Sequence, residues 1–508
     1  MGQTRRTWGR RTLAATIAVT LAVVAAPPAA QASPGSISSW ALRQLVTANG
    51  VMKHLKELQR IADRHGGSRA SGSPGYDASV DYAERVFRRA GYRTSRQAFD
   101  FQTFLINSPS ELERTAPAPA GPLPHRIMSY SGSVDATAPV TLPTGDPQGC
   151  AAGDFGPANV GTIVLISRGA CPFGQKGRNA AAAGAAAAVV YNNTTGDLAG
   201  TLGNDYTLDF GVVGITQALG QELAAQVDDG LTLRLHTDTY RGQARTENLF
   251  AESRWGDPDN VVMAGAHLDS VAEGPGINDN GTGSAAILEI ADKMRWFPTR
   301  NKVRFALWGA EEANLVGSTR YIADLPQAER DRIALYLNFD MVGSPNYVRF
   351  VYDGDNSAFP PGTGSAAGPP GSGAIEKLFH DYFASQRLDS AETPFSGRSD
   401  YGPFIAPGVD IPAGGLFTGA EGIKTPEQAA VYGGTAGVSY DPCYHQACDT
   451  IDNVSKKAVG EMSDAIAHAI ITYAWDTRSL STPPAGPTGG TTAPAGEGGG
   501  LHDHEVEI

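Results

Sequence analysis

Apolar residues recur at helical spacing early in the chain and in unbroken runs later on. Between residues 39 and 110, Leu55, Leu58, Ile61 and Ala62 fall on one helical face. Val80, Ala83, Val86, Phe87 and Ala90 repeat that pattern before Gly91. The stretch between them, Gly66 to Tyr76, is a loop by composition. After Phe101 the pattern breaks into short β-like runs with prolines. Val160–Ile166 then reads as a strand, followed by a helix of small residues and a second strand over Ala187–Asn193. From Asn248 onward, apolar strands alternate with helices. Asn260–Ala266, Val303–Trp308 and Ile333–Phe339 are the strands. Ser284–Met294 is an amphipathic helix with Ala286, Ile287, Ile290, Ala291 and Met294 on one side. Unbroken apolar strands separated by helices predict a sheet covered on both faces. Ligands of such sheets sit outside the carboxyl ends of the strands.

Composition narrows the function classes. The 508 residues suffice for a large core and an extra module, and 41% hydrophobic with 18% charged residues is globular. The formal charge is −13, and the first 32 residues hold four arginines and no acid, so the remainder stands at −17. Such a surface repels phosphate backbones, which excludes nucleic acid as a partner. Sixty-one glycines and 33 prolines argue for many loops and against a helical bundle. Arg5, Arg6, Arg10 and Arg11 precede the apolar run Leu13–Ala26, then Pro27-Pro28 and Ala30-Gln31-Ala32. That is a cleavable export signal over residues 1–32; a membrane anchor needs roughly 20 apolar residues. The mature chain is expected to be secreted, with no membrane segment. Residues 477–508 read as a flexible Pro/Gly/Thr-rich tail in which His502 and His504 are solvated. The four cysteines form two local pairs, Cys150 with Cys171 and Cys443 with Cys448, as disulfides of an oxidising compartment would.

Each unbroken strand runs into a candidate ligand. The first ends in His267-Leu268-Asp269-Ser270, and the glycine loop Gly276–Gly283 that follows contains Asp279. The second runs through Gly309-Ala310 into Glu311-Glu312, the third into Asp340, and Tyr444-His445 lies between the last cysteines. The glycine loop matches neither G-x-G-x-x-G nor the P-loop, and its Asp and Asn side chains would face phosphate badly. No G-x-S-x-G elbow is present, and the cysteines are better placed in bridges. Two imidazoles and three carboxylates at strand ends are enough to hold two zinc ions with one carboxylate bridging, leaving another carboxylate as base.

Gly265-Ala266-His267-Leu268-Asp269-Ser270, Asn278-Asp279-Asn280-Gly281, Trp308-Gly309-Ala310-Glu311-Glu312, Asn338-Phe339-Asp340-Met341 and Cys443-Tyr444-His445 occur in the order found in the co-catalytic di-zinc aminopeptidases. The chain resembles their secreted bacterial leucine aminopeptidases, and more distantly aminopeptidase Y, over residues 40–105 and 245–475. Between these stretches, Arg168-Gly169-Ala170-Cys171-Pro172-Phe173 and the run ending Tyr191-Asn192-Asn193 resemble a protease-associated domain. The resemblance implies an α/β fold with a mixed, mostly parallel sheet covered by helices on both faces. Its peptidase parts are 33–110 and 245–476, with a mainly β insert at 111–244. It implies two zinc ions per chain: His267 and Asp340 on one, Glu312 and His445 on the other, Asp279 bridging. Glu311 would be the general base, Tyr444 an oxyanion donor and Asp269 the residue orienting His267. Met341 and Phe417 would wall an apolar pocket, and Arg398 would lie near the substrate amine. The substrate would be peptide or protein N-termini, with Leu-like residues preferred. A carboxypeptidase of the same fold, using Arg398 for a terminal carboxylate, and a non-catalytic binding protein are the alternatives. The relatives' calcium site has two acids where this chain has Gly460 and Asp464, so no calcium is predicted.

Overall fold

The computed structural model describes Met1, Gly2 and residues 34–194, 196–360 and 365–481. The export signal and most of the tail, with His502 and His504, lie outside the described residues. The two N-terminal apolar patterns form the helices Ala48–Arg64 and Pro74–Arg89. Each has a hydroxyl cap: Thr47 accepts from the Gly50 N–H at 3.0 Å, and Ser73 accepts from that of Tyr76 at 3.4 Å. The loop of the sequence reading therefore stops at Ser73, because a capping serine followed by proline at the first helical position starts the second helix early.

The peptidase sheet runs in the order Ala391–Thr393, Phe350–Tyr352, Ala413–Phe417, Ile333–Phe339, Asp257–His267, Asn301–Trp308, Thr232–Glu252. Ala413–Phe417, Ile333–Phe339, Asp257–His267 and Asn301–Trp308 are mutually parallel. Strand alternation serves both faces. Val303, Phe305, Leu307, Leu335, Leu337 and Phe339 join the core beneath the helices Ala48–Arg64, Thr282–Met294 and Lys456–Trp475. Ala306, Trp308 and Tyr336 point the other way, into a second layer with Tyr321, Phe404 and Ile411. The fold is thus an α/β sandwich, and the unbroken apolar runs are its doubly buried strands.

The expected short runs begin only after Ala116, as Gly121–Pro122 and Arg126–Ile127; Pro109 does not break the chain. Arg93–Ala116 is one 24-residue strand, antiparallel to the 21-residue Thr232–Glu252. Pro109 is accommodated between the pairs Ser108↔Asp238 and Glu111↔His236, where the register shifts. The expected limits at 110 and 244 fall inside these two strands. Their outer ends belong to the insert, where Val134–Thr141 pairs with residues 232–237 and leads to parallel strands Ile163–Ser167, Ala187–Tyr191 and Val212–Ile215. Helices Phe173–Ala182 and Gln217–Ala225 pack on this second sheet. Both disulfides are formed, Cys150–Cys171 in the insert and Cys443–Cys448 in the peptidase part.

Candidate active site

The three parallel strands end side by side, so residues distant in sequence converge at their carboxyl ends. His267 is the last residue of its strand, Glu311 and Glu312 follow Trp308 by three and four positions, and Asp340 directly follows Phe339. Asp279 sits in the irregular turn Ile277–Gly281 that opens the helix Thr282–Met294, with a cis peptide to Asn280. Gly283 is needed there: a Cβ would lie 2.2 Å from the Phe339 carbonyl, so only glycine lets this turn approach the strand carrying Asp340.

Two clusters result, and they share Asp279. His267 Nε2 lies 3.2 Å from Asp279 Oδ1 and 3.3 Å from Asp340 Oδ1. His445 Nε2 lies 3.1 Å from Asp279 Oδ2 and 3.2 Å from Glu312 Oε2. Ligand atoms about 2.1 Å from one tetrahedral ion stand about 3.4 Å apart, so each cluster has the spacing of a metal site. Glu312 Oε1 and Asp340 Oδ1 are buried and have no hydrogen-bond partner among the described residues. Imidazole and carboxylate donors with unused buried oxygens fit a pair of divalent ions. Glu311 belongs to neither Asp279-sharing cluster but groups with one member of each, His267 and Glu312, its Oε2 3.9 Å from His267 Nε2.

The electrostatics reflect this crowding. Burial opposes charge on His267 and His445, yet the facing carboxylates hold both imidazoles well above their usual range. Asp279 is buried too, and the same two imidazoles hold it well below the ordinary carboxylate range. Burial pushes Glu312 up to about 7, and it also pushes Glu311 upward, with Glu312, Asp400 and Asp340 adding to the effect. The Tyr444 hydroxyl is driven far up by burial, then by Asp279, so it remains a donor; its ring stacks on His445 with centroids 3.8 Å apart.

Supporting contacts hold each part. Asp269 is buried; its carbonyl lies 3.2 Å from His267 Nδ1, and its Oδ1 accepts the Glu311 N–H at 3.3 Å. Trp308 Nε1 donates to Tyr336 at 2.7 Å, Tyr336 to Asn338 at 2.9 Å, and Asn338 to Ser399 at 2.8 Å. Ser399 then donates to Asp340 Oδ2 at 2.5 Å. Asp449, pushed up to about 8 by burial and by Asp441, accepts the Asn278 and Asp279 N–H groups at 2.8 and 3.0 Å. Arg69, fully buried, donates from Nε to Pro275 at 2.8 Å, from Nη2 to Gly276 at 2.5 Å and from Nη1 to Leu268. Burial lowers that guanidinium to about 10. From the insert, Arg126 Nη2 donates to the His445 carbonyl at 2.5 Å and to that of Tyr444 at 3.3 Å.

Asp449, Arg69 and Arg126 carry no signal in the sequence, because each acts through backbone groups far along the chain. Ser399 adjoins Arg398 in the run Gly397-Arg398-Ser399-Asp400, which by itself gives it no role. Arg398 is exposed, although its charge reaches Tyr444. Met341 is buried beside Asp340, while Phe417 is half-buried and stacks between Phe350 and Tyr352 at 6.2 and 6.5 Å. A cleft reaches Asp269, Glu273 and Glu312, walled on the insert side by Phe104, Ser129 and Tyr130.

Residues 248–470 match peptidase family M28, and residues 136–223 match the PA domain. An aminopeptidase of Pseudomonas aeruginosa is 45% identical over 441 residues, covering 84% of this chain and 81% of that protein. Leucine aminopeptidase 2 of Arthroderma otae is 40% identical over 92% of this chain and 94% of its own. The solved aminopeptidase from Aneurinibacillus sp. strain AM-1 aligns over 85% of this chain and 95% of its own, with a TM-score of 0.62 and 28% identity. The chain belongs to peptidase family M28 and carries a PA domain inserted ahead of its first ligand-bearing strand.

Proposed function

We propose that the chain is an exported aminopeptidase that holds two zinc ions and releases large apolar residues from peptide N-termini. The observation that carries this reading is the pair of His–carboxylate clusters joined through Asp279. His267 and Asp340 would hold one ion, Glu312 and His445 the other, and Asp279 both. Bound zinc supplies Lewis acidity to the scissile carbonyl and a nucleophilic water near neutral pH. The chain's own groups do the rest. Glu311, near the ligands but outside both Asp279-sharing clusters, takes the water's proton and passes it to the leaving amine. Its raised affinity for protons suits that transfer. Tyr444, held protonated by burial, donates to the developing oxyanion. The relay through Ser399 and the carbonyl of Asp269 keep Asp340 and His267 aimed inward.

The polarity of the site follows from its charge. Asp269, Asp279, Glu311, Glu312, Asp340 and Asp400 gather around it, more acids than two zinc ions neutralise, an environment that favours a substrate ammonium over a carboxylate. Arg398, the one cation the sequence offered for a carboxylate, is exposed, and its charge, which reaches Tyr444, is outnumbered by these acids. Met341 next to Asp340 and the Phe417 stack on the adjoining strand supply apolar surface for the N-terminal side chain. The export signal, with the two disulfides, supports an extracellular location.

The test is hydrolysis of leucine p-nitroanilide against its N-acetylated form, with and without a chelator. Chelator-sensitive cleavage of the free amine alone is expected. Release of carboxyl-terminal residues instead would reverse the polarity, and failure to bind zinc at all would make the chain a binding protein.

A further inference from the structure

Away from the active site, buried ionisable side chains gather at the far edge of the peptidase sheet. Glu376 and His380 lie one turn apart on the helix Ser372–Ser385, so they share a face. Glu392 comes from the outermost strand, Ala391–Thr393; two strands stand between it and Ile333–Phe339, which leads to Asp340. Each of the three can place a ligand atom within 4.8 Å of the others. Glu376 is 1% exposed and His380 8%.

The imidazole has the set of contacts a ligand needs. Its Nδ1 lies 2.8 Å from Ser390 Oγ, which fixes the ring. Its Nε2 is turned toward Glu392, 3.6 Å from Oε1, and is buried with no hydrogen-bond partner among the described residues. No lysine or arginine among the described residues lies within ion-pair distance of Glu392. The buried nitrogen lone pair of His380 is thus aimed into a pair of carboxylates and is satisfied by a cation held there, while Glu376 is also anchored by the Gly354 N–H, donated to its Oε2 at 2.9 Å. The neighbouring Asp353 and Asp355, which also group with Glu376, are committed to a turn instead. Asp353 accepts the Ser357 and Ala358 N–H groups at 3.0 and 2.9 Å, and Asp355 accepts that of Ser357 at 3.1 Å.

We propose that Glu376, His380 and Glu392 form a further metal site for one divalent ion of the zinc class, separate from the active site. One imidazole and two carboxylates are a zinc donor set, and softer or purely oxygen-loving ions fit it less well. The ion ties the outermost strand, which among the described residues pairs only with Phe350–Tyr352, to the helix packed behind it. Its part is structural.

The experiment saturates the full chain with Zn2+ alone, removes loosely held metal and counts zinc per chain for the wild type, His380→Ala and Glu392→Gln. Each variant is expected to hold one ion fewer than the wild type and to lose most of the rise in Tm that zinc confers. The isosteric Glu392→Gln guards against a misfolded alanine variant. A folded variant that binds as many zinc ions as the wild type overturns the site, as does an equal Tm rise in all three proteins. Because the readout is a difference in metal count, it stands or falls independently of the catalytic reading.

Discussion

Glu311 and Glu312 are adjacent in the chain and identical in chemistry, yet they meet different groups. Glu312 reaches His445 at 3.2 Å, while Glu311 stands 3.9 Å from His267 and is tethered through its N–H to Asp269. Replacing each by glutamine should therefore separate base from ligand. Glu311→Gln is expected to lower kcat by about 10²–10⁴-fold with metal content unchanged, read by steady-state kinetics beside metal analysis. Glu312→Gln should lose metal. Zinc loss from Glu311→Gln would mean the two roles are exchanged. Ser399 tests the support of Asp340. Ser399→Ala ends the hydrogen-bond relay that begins at Trp308 and should weaken metal binding by about 10–100-fold, with activity restored by added zinc. Unchanged zinc affinity in that variant would reduce the relay to packing.

At the scale of elements, two interactions join parts that lie far apart in sequence. Arg69, in the loop between the first two capped helices, supplies donors to three carbonyls of the segment between His267 and Asp279. Arg69→Met would leave those buried carbonyls unsatisfied, and thermal unfolding should show a loss of about 3 kcal/mol or more. His468 links the helix Lys456–Trp475 to Ser39 of the helix Pro34–Leu45, with Nδ1 2.7 Å from the hydroxyl. Burial, with Arg43 adding to it, lowers this imidazole to about 4. The unfolded chain then binds the proton more readily, so stability is complete above about pH 6.5 and is lost as pH falls toward 4. The loss is at most about 3 kcal/mol. His468→Gln should flatten the stability profile over that window in denaturant titrations; an unaltered acid limb would assign the loss to other groups.

For the whole molecule, the question is how the insert and the peptidase part act together. The strands Arg93–Ala116 and Thr232–Glu252 pass through both without interruption, so the insert is held by a continuous two-stranded ribbon. It touches the candidate active-site loop through Arg126, whose guanidinium grips the carbonyls of Tyr444 and His445. Arg126→Ala should lower kcat/KM by about tenfold or more while leaving the fold intact by circular dichroism. Wild-type kinetics in that variant would confine the insert to its wall of the cleft, formed by Phe104, Ser129 and Tyr130.

Local patterns in the chain sufficed for the doubly buried strands, the helices between them and the candidate ligand types at their ends. Burial on both faces demands unbroken apolar runs, and metal chemistry demands particular side chains, so both leave marks on neighbouring residues. The long strand Arg93–Ala116 was hidden because Pro109 suggests a break, and only pairing with a partner more than a hundred residues away shows that it falls at a register shift. The roles of Arg69, Arg126 and Asp449 were hidden for a related reason: each bonds to backbone, and a backbone carbonyl or N–H looks the same whatever the residue. Residue identities and their local spacing thus name the groups available for the proposed chemistry. Their aim comes from the folded arrangement, because aim depends on contacts between segments that the chain keeps far apart.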